Sequence, residues 1–432
     1  MRVLSADWVV PVQGDPIRGG AVAVGDDGRI AAVGPIDVLG SDEHYPEAVI
    51  LPGFVNAHTH LEYSVYAGFG DGLDFPAWLG VHIERKQRID LEDSDAIARH
   101  GAYECLRSGM TAVGDCSFSG SAAVACAELG LRAIVYLEVF GTDDRQLDER
   151  FEPNRERVAD AFTDRVRVGI SPHAPYSCSR ELYRACAELG LPIATHLAES
   201  EAETEWLCDG AGPWRTLSDA LVPPLGTTGV RALAEEGVLG PNVLAAHCVQ
   251  ADAEEIALLA THDVAVAHCP RSNALLGCGI APLTAMRKAG VRVCIATDSP
   301  ASTPSFDMFD EMRAAMAGAR ARERCPDALT ARDALELATI GGARALALEH
   351  EIGSLAPGKY ADLAVVSLAG SPFLPWEDPV TAAVLGGSPD RVLATLVSGE
   401  TRYQRGGETW LELIDAARNA RGRLLSHVAQ TS

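Results

Sequence analysis

Two histidines separated by one residue, His58 and His60, end an apolar run early in the chain. Alternate residues of a β-strand face the same side, so both imidazoles can point toward one centre if this run is a strand. Two imidazoles placed in this way can share a divalent metal ion, with metal–nitrogen bonds of about 2.0–2.1 Å for zinc. Because such pairs also occur as surface or structural histidines, this pair indicates a metal site only together with further ligands.

Three later apolar runs also end in groups that can bind a metal ion or move a proton. His196 can supply a third nitrogen ligand and Asp298 a carboxylate, while Glu199 and His247 can handle protons. Taken singly, Glu199 can be a loop residue in an acidic segment, His247 a core histidine and Asp298 a helix cap. Together, three histidines and one carboxylate leave a position open for water, which is typical of a hydrolytic metal site.

The segments that carry these residues alternate between apolar runs and amphipathic helical stretches. Continuous apolar runs are typical of strands that are buried on both faces of a parallel sheet. Eight such runs predict a (β/α)8 TIM barrel over residues 51–350, whose active site would lie at the carboxyl ends of the strands. A doubly wound open sheet is the alternative, but no glycine-rich dinucleotide motif follows the early strands. The predicted strands are 48–58, 111–115, 132–139, 166–175, 192–199, 243–248, 264–270 and 292–299, and predicted helices include 93–108, 119–129, 252–261 and 307–321.

Polar residues fall at the carboxyl ends of most of the predicted strands. One or two such residues could be accidental, whereas a repeated pattern that converges on one mouth is hard to explain by packing. The sequence therefore predicts that the mouth of the barrel carries the chemistry. The residues at the strand ends are His58, His60, Asp115, Glu138, His173, His196, His247, His268 and Asp298.

The two ends of the chain are rich in turns and short apolar runs. Residues 21–34 contain two alternating runs around Asp26, Asp27 and Gly28, which is a hairpin signal. Residues 353–368 and 391–406 have the same character near the other end. We therefore expect residues 1–50 and 351–432 to form one small composite β domain, with a terminal helix after its last strands.

The composition of the chain indicates which kinds of partner and which cellular compartment to expect. The formal net charge of −24 disfavours nucleic acid and anionic lipid as partners, so a small-molecule substrate is expected. The chain has 11 cysteines and no CxxC pair, which favours free thiols in a reducing cytoplasm. No signal peptide and no apolar run of about 18 residues is evident, so no membrane span is expected. A homodimer would be ordinary for such a chain.

Five segments, LPGFVNAHTH, HLAES, AAHC, HCPRSN and ATDS, resemble in order and spacing the amidohydrolase superfamily. More narrowly, they resemble its cytosine-deaminase-like and chlorohydrolase-like branch, which includes S-adenosylhomocysteine/methylthioadenosine deaminases and aminofutalosine deaminases. The resemblance implies one divalent ion per chain, zinc first and iron or manganese next, held by His58, His60, His196 and Asp298. The fourth strand ends in His173, where binuclear members of the superfamily carry a carboxylated lysine.

The same resemblance implies hydrolytic deamination of an aminopurine nucleoside-type substrate. A metal ion lowers the pKa of its water toward about 7, so that hydroxide can attack the ring carbon that bears the amine. Glu199 would then shuttle protons to the ring nitrogen and to ammonia, and His247 would hold the attacking water. Asp298 would accept a proton while it also binds the metal, and His173 would contact the substrate.

The substrate prediction depends on the residues that follow the first two ligands. The segment HLEYS looks like that of aminofutalosine deaminases, so 6-amino-6-deoxyfutalosine, of the menaquinone pathway, is the first expectation. Deamination of S-adenosylhomocysteine, methylthioadenosine or adenosine is the alternative. Further alternatives are that the protein dechlorinates a triazine, that it hydrolyses an imidazolone, or that it is a non-catalytic relative. The expected substrate contacts are Glu62, Trp78, Glu84 and Arg271, with Phe75 as a further wall and Arg271 as the partner of a substrate carboxylate.

Several of these contacts have a purely structural alternative. Trp78 and Phe75 can equally be buried aromatic anchors of their loop. Glu62 can be a helix cap, and Arg271 can be a surface arginine that pairs with an acidic neighbour. The spacing of Glu84 from Trp78 is also shorter than in the relatives that the segment resembles.

Overall fold

The computed structural model describes residues 1–373, 377–407 and 410–426, and these residues contain two β-sheets. One sheet has eight strands from the middle of the chain, and the other has seven strands from its two ends. The strands are β1 (Arg2–Val9), β2 (Ile17–Val24), β3 (Ile30–Pro35), β4 (Glu43–Pro52), β5 (Phe54–Thr59), β6 (Met110–Ser117), β7 (Arg132–Val139), β8 (Val166–Pro172), β9 (Ile193–Leu197), β10 (Val243–His247), β11 (Ala265–His268), β12 (Arg292–Ile295), β13 (Leu363–Ser367), β14 (Val392–Val397) and β15 (Glu400–Gln404).

Helices follow most strands of the eight-stranded sheet and cover its outer side. None of the helices in the described residues combines the length and the apolar character that crossing a membrane requires. The α-helices are α1 (Ile36–Leu39), α2 (Phe75–Lys86), α3 (Leu91–Arg107), α4 (Ser121–Leu129), α5 (Glu152–Arg157), α6 (Arg180–Glu188), α7 (Glu201–Asp209), α8 (Gly229–Glu235), α9 (Ala253–Thr261), α10 (Pro270–Leu275), α11 (Leu283–Ala289), α12 (Met308–Glu323), α13 (Ala331–Glu336), α14 (Gly342–Ala345), α15 (Pro379–Gly386) and α16 (Leu411–Ser426).

The eight-stranded sheet is a parallel barrel. Its strands β5 to β12 lie side by side in chain order, and each neighbouring pair is parallel. The sheet closes where the backbone N–H of Asp298 donates to the carbonyl of His58 at 3.1 Å. The side chain of Asn56 reinforces this closure, because it donates to the Thr297 hydroxyl at 2.7 Å and accepts from the Thr297 N–H at 2.9 Å. The predicted (β/α)8 barrel is thereby confirmed.

The first predicted strand, 48–58, is in fact two strands that belong to different sheets. β4 ends at Pro52 in the small sheet, and β5 begins at Phe54 in the barrel. Gly53 lies between them, where a Cβ atom would approach the Thr111 side chain to 2.1 Å, so only glycine fits this junction. A continuous apolar run does not reveal where a chain passes from one sheet to another, because both strands are buried.

The second sheet joins the two ends of the chain, as expected. Its strand order is β15-β14-β13-β4-β1-β2-β3, so the C-terminal strands enter the sheet through β4. The predicted hairpin around Asp26, Asp27 and Gly28 is the antiparallel pair of β2 and β3. After the last strand, α16 packs along α3, and its Arg421 donates to the carbonyls of Val65 and Ala67.

A buried ion pair connects the barrel to the small sheet. Arg132, at the start of β7, places its Nε 3.1 Å from Oδ2 of Asp362, and Oδ1 of the same carboxylate accepts from the N–H of Ser398. Both side chains of the pair are almost completely buried. Removing one member of such a pair leaves an uncompensated buried charge, which is more costly than losing an exposed pair.

We therefore expect Arg132→Met to lower the free energy of unfolding by about 3 kcal/mol, because Asp362 loses its buried counter-charge. Urea unfolding followed by circular dichroism measures this change. Arg145→Met is the matched control, because Arg145 pairs with Asp143 but is 73% exposed, and its loss should cost less than about 0.5 kcal/mol. Equal midpoints for the two variants would contradict the predicted role of the buried pair.

Candidate active site

The carboxyl ends of the barrel strands bring four predicted metal ligands together. His58 lies on β5 and His60 directly after it, while His196 lies on β9 and Asp298 follows β12. One ligand atom from each of the four lies within 4.8 Å of the others, and all four side chains are buried. The Nε2 atoms of His60 and His196 are 3.2 Å apart, and Oδ1 of Asp298 lies 3.5 Å from Nε2 of His60.

Hydrogen bonds on the far side of two imidazoles fix their orientation. Nδ1 of His60 lies 3.0 Å from the carbonyl of Cys116, and Nδ1 of His196 lies 2.8 Å from the carbonyl of His173. A carbonyl can only accept, so Nδ1 carries the proton in both rings and Nε2 presents its lone pair to the centre. This is the arrangement in which histidine binds a metal ion through Nε2.

The chemistry of the four side chains fits a divalent ion. Burial lowers the pKa of His60 to about 3 and that of His196 well below its usual value, so both rings are neutral ligands. Nε2 of His58 is buried and has no hydrogen-bond partner among the described residues, which is unusual for a polar atom and fits a nitrogen that would bind a metal ion. Three imidazole nitrogens and one carboxylate oxygen suit zinc, iron or manganese.

The backbone at Asp298 is held in an unusual conformation that aims its carboxylate. Its φ of 59° lies in the left-handed region, which few residues other than glycine adopt. Oδ2 accepts hydrogen bonds from the hydroxyls of Ser272 at 2.7 Å and Ser302 at 2.8 Å. Oδ1 therefore remains free to face the imidazoles of His58 and His60.

Glu199 and His247 form a second pair beside the predicted metal ligands. Oε1 of Glu199 lies 3.6 Å from Nε2 of His247, and Nδ1 of His247 lies 2.9 Å from the side-chain oxygen of Asn273. The carboxylate of Glu203 accepts the N–H groups of Ala198 and Glu199 at 3.0 and 2.8 Å, which holds the loop after β9 in place. Glu199 is thus a buried, positioned residue and not a solvated loop glutamate.

The surroundings of Glu199 favour its protonated form. Burial raises the pKa of this carboxyl well above its usual value, and the nearby Asp298 and Glu203 carboxylates raise it further. Burial lowers the pKa of His247 to about 4, so this ring is neutral at pH 7. A protonated carboxyl beside a neutral imidazole can donate a proton to a bound substrate and then recover it.

A cavity of about 460 Å³ opens above these residues. Trp78 and Phe75 form part of its wall, and Trp78 is fixed by a hydrogen bond from its ring N–H to the carbonyl of Ala301 at 3.3 Å. His173 also lines the cavity, with its Nδ1 2.8 Å from the hydroxyl of Ser177. Phe75, Trp78 and His173 therefore line the cavity, and their contact with a substrate stays a prediction.

The structure places Glu84 outside the cavity, so the predicted substrate contact is corrected. Trp78, His82 and Lys86 recur every four residues of α2 and all line the cavity. Glu84 lies two residues from His82, which places it on the opposite face of the helix. Its side chain is 62% exposed and pairs with Arg88.

Arg271 also lies away from the cavity, and its predicted contact with a substrate carboxylate is corrected. Its guanidinium lies 3.4 Å from a carboxylate oxygen of Glu311 and donates to the carbonyls of Ser305 and Asp307. Glu311 is completely buried, so it needs a counter-charge within the protein. Arg271 supplies that charge and so connects α10 to α12.

Glu62 is buried next to the site and is not among the residues that line the cavity. Its carboxylate accepts the N–H of Ser119 at 3.1 Å and the hydroxyl of Ser117. It therefore stabilises the loop after β6, a role that is neither a helix cap nor a substrate contact. The loop matters to the site because Phe118, at its centre, lines the cavity.

Several residues of the cavity were not predicted as substrate contacts. Lys86 could have been found from the helical period, since it lies eight residues after Trp78 on the same face of α2. The sequence predicts Glu138 at the end of a strand, but it does not indicate a role for this residue in binding the substrate. No local pattern marks the aromatic residues, which are Tyr63, Phe118, Phe140 and Tyr176.

Comparison with known proteins gives one family and several close relatives. The model of the amidohydrolase family matches residues 49–402. A 5-methylthioadenosine/S-adenosylhomocysteine deaminase of Moorella thermoacetica is 35% identical over 413 residues, which cover 92% of this chain and 93% of the relative. A 5'-deoxyadenosine deaminase of Methanothermobacter thermautotrophicus is 33% identical over 403 residues, which cover 90% of both chains.

The same relationship is seen among solved structures. An adenosine deaminase from Xanthomonas campestris, determined with bound zinc, matches this structure with a TM-score of 0.87 at 28% sequence identity. The match covers 98% of both chains, so it includes the small composite sheet as well as the barrel.

Proposed function

Because this chain belongs to the amidohydrolase family and is a hydrolase that acts on carbon–nitrogen bonds, we propose that it deaminates a 6-aminopurine nucleoside. The observation that carries the proposal is the pairing of a protonatable Glu199 with a neutral His247 beside three histidines and Asp298. The relatives named above, which are deaminases of adenosine derivatives, support the same class of substrate.

His58, His60, His196 and Asp298 would hold the metal ion, and we propose zinc first because the Xanthomonas campestris adenosine deaminase binds zinc. Iron and manganese suit the same donor atoms. A divalent ion at these ligands would lower the pKa of water toward about 7 and so supply the nucleophile at neutral pH.

The protein side chains supply the proton transfers of the reaction. Nε2 of His247 has no hydrogen-bond partner among the described residues, so it can hydrogen-bond the attacking water, with its ring oriented by Asn273. Oδ1 of Asp298 accepts the proton that this water loses. Protonated Glu199 donates to the ring nitrogen beside the reacting carbon, which prevents negative charge from building up there. General acid–base help of this kind contributes about 10²–10⁴-fold.

The second half of the reaction releases ammonia. The tetrahedral carbon carries one hydroxyl and one amino group, and a proton must reach the amino nitrogen before the carbon–nitrogen bond breaks. Glu199, which is ionised after its first transfer, can take the hydroxyl proton and pass it to that nitrogen. The proton that Asp298 took from water then returns to Glu199, so water and the aminopurine become ammonia and the 6-oxopurine and both carboxyl groups regain their starting forms.

Within this class we propose 6-amino-6-deoxyfutalosine as the preferred substrate, which would make the protein a cytoplasmic enzyme of menaquinone biosynthesis. The HLEYS segment after the first ligands supports this choice. The second candidate is deamination of methylthioadenosine, S-adenosylhomocysteine or 5'-deoxyadenosine, which the names of the relatives favour.

A substrate panel tests both levels of the proposal. We expect the zinc-loaded protein to release ammonia from 6-amino-6-deoxyfutalosine with a higher kcat/KM than from adenosine, methylthioadenosine, 5'-deoxyadenosine or S-adenosylhomocysteine. A site built around one substrate disfavours ligands that leave its buried polar groups unpaired. Clear preference for another nucleoside replaces the first candidate with the second, and no ammonia from any of them overturns the deaminase proposal.

A further inference from the structure

One side of the cavity combines aromatic rings with charged groups, and we call it the β6–β8 lobe. It consists of Lys86, Phe118, Glu138, Phe140 and His173. Phe118 follows β6, Glu138 and Phe140 lie at the end of β7, and His173 follows β8. In the part of the chain that the structure describes, Lys86 is the only lysine or arginine among the residues that line the cavity.

The ammonium group of Lys86 lies between two aromatic rings. Its Nζ is 3.6 Å from the centre of the Phe118 ring and 4.4 Å from that of Tyr63, and it donates to the Tyr63 hydroxyl at 2.7 Å. Among the described residues, no carboxylate oxygen lies within 4.0 Å of it. An ammonium has three N–H donors, so the protein leaves donor capacity unused on the cavity side.

Keeping Lys86 in its charged form costs free energy, because the ammonium group is buried without an ion pair. Burial lowers the pKa of Lys86 to about 8, although the carboxylates of Glu138 and Glu62 act in the opposite direction. The group is still mostly a cation at pH 7, and an anion bound beside it would offset the cost of its burial. A ligand anion in the lobe is therefore favoured, because the charge of Lys86 is only partly compensated by the more distant carboxylates of Glu138 and Glu62.

The rings beside Lys86 form an aromatic wall, in which the planes of neighbouring rings are tilted by 52° and 34°. Those of Phe118 and Phe140 have centres 6.0 Å apart, and the His173 ring lies 4.8 Å from that of Phe140. Arg150 covers the same two phenylalanines, with its guanidinium 3.8 Å from the centre of the Phe118 ring, and its Nε donates to the carbonyl of Glu138. The wall is thus held in place by the protein and can contact an aromatic ligand group by offset or edge-to-face packing.

Glu138 completes the lobe. Its carboxylate is buried and accepts no hydrogen bond from the described residues, and burial raises its pKa to about 7. A carboxyl group that is partly protonated at neutral pH repels a ligand anion less than an ionised one does. It also offers a hydrogen bond to a hydroxyl group of a ligand.

We propose that Lys86 is a specificity-determining residue that binds a carboxylate carried by an aromatic ring on the sugar side of the nucleoside. This rests on the proposed function, which places the reacting amine beside Glu199 and leaves the sugar-side substituent to occupy the rest of the cavity. Another part of the cavity lining, formed by Phe75, Leu221 and Leu276 of one apolar cluster, carries no cation. An aromatic acid matches the lobe in shape and charge, whereas a neutral substituent gains nothing from Lys86.

Binding measurements test the role of Lys86 independently of whether the protein catalyses deamination. The zinc-loaded Glu199→Gln variant, which should leave the substrate intact, is titrated by calorimetry with 6-amino-6-deoxyfutalosine, its carboxylate methyl ester and S-adenosylhomocysteine. We expect the acid to bind at least about tenfold more tightly than the ester, since a charge-assisted hydrogen bond corresponds to that factor or more. Lys86→Met, introduced into the Glu199→Gln variant, should abolish this difference in affinity between acid and ester. Lys86→Arg in the same variant should retain part of it.

The matched control is Lys288→Met, which removes an exposed lysine outside the cavity and should change no affinity. Equal affinity for the acid and the ester in the protein with Lys86 intact would overturn the proposal. This comparison does not depend on whether a Lys86 variant folds. Tighter, Lys86-dependent binding of S-adenosylhomocysteine would also overturn it, in favour of an amino-acid tail. Ammonia release by the protein with Glu199 intact is measured separately, so failure of the deaminase proposal is distinguished from failure of the Lys86 proposal.

Discussion

Glu199→Gln is expected to lower turnover at least about 10²-fold while metal content and fold stay unchanged. Glutamine has nearly the same shape as glutamate but cannot pass a proton between the ring nitrogen and the leaving amine. Glu199 lies beside His247 and is buried, so bulk water has little access to take over its role. Steady-state kinetics of ammonia release, combined with elemental analysis of the same preparation, measures both expectations.

Glu201→Gln is the control for this variant, because Glu201 lies in the same acidic segment but is exposed at the start of α7. It should retain normal turnover. If Glu199→Gln also turns over at nearly the normal rate, Glu199 has no part in the mechanism. If it loses the metal, Glu199 is a ligand and not a proton shuttle.

Asp298→Ala and His60→Ala are expected to lose most of the metal, and with it nearly all activity. The protein as purified should carry about one divalent ion per chain, since the four buried side chains form one compact site. Each substitution removes one of four ligands and opens the centre to water. Elemental analysis after dialysis measures the metal, and ammonia release measures the consequence.

His350→Ala is the control for histidine loss, because this side chain is 95% exposed and far from the strand ends in sequence. It should keep both metal and activity. Full metal occupancy in Asp298→Ala and His60→Ala would show that the ligands are other residues. Lost activity with the metal retained would instead assign these two side chains to substrate positioning.

The sequence by itself determined the barrel and the chemical centre. Eight apolar runs with polar residues at their ends are enough to predict the mouth of a barrel, because strand direction and strand order bring those ends together. His58 and His60 could be paired from the two-residue period of a strand alone. The remaining ligands were found for the same reason, since each follows its own apolar run.

Only the tertiary structure decided which residues face the substrate. Glu84 and Lys86 are two residues apart on α2, and the rotation of that helix exposes the first and turns the second into the cavity. Arg271 pairs with Glu311, 40 residues later, and no local pattern reveals that partner. The sequence also does not reveal that the chain passes from the small sheet to the barrel at Gly53, because the strands on both sides of this residue are buried and apolar. Local periodicity fixes which side of its own element a residue occupies, whereas the packing of one element against another decides what that side meets.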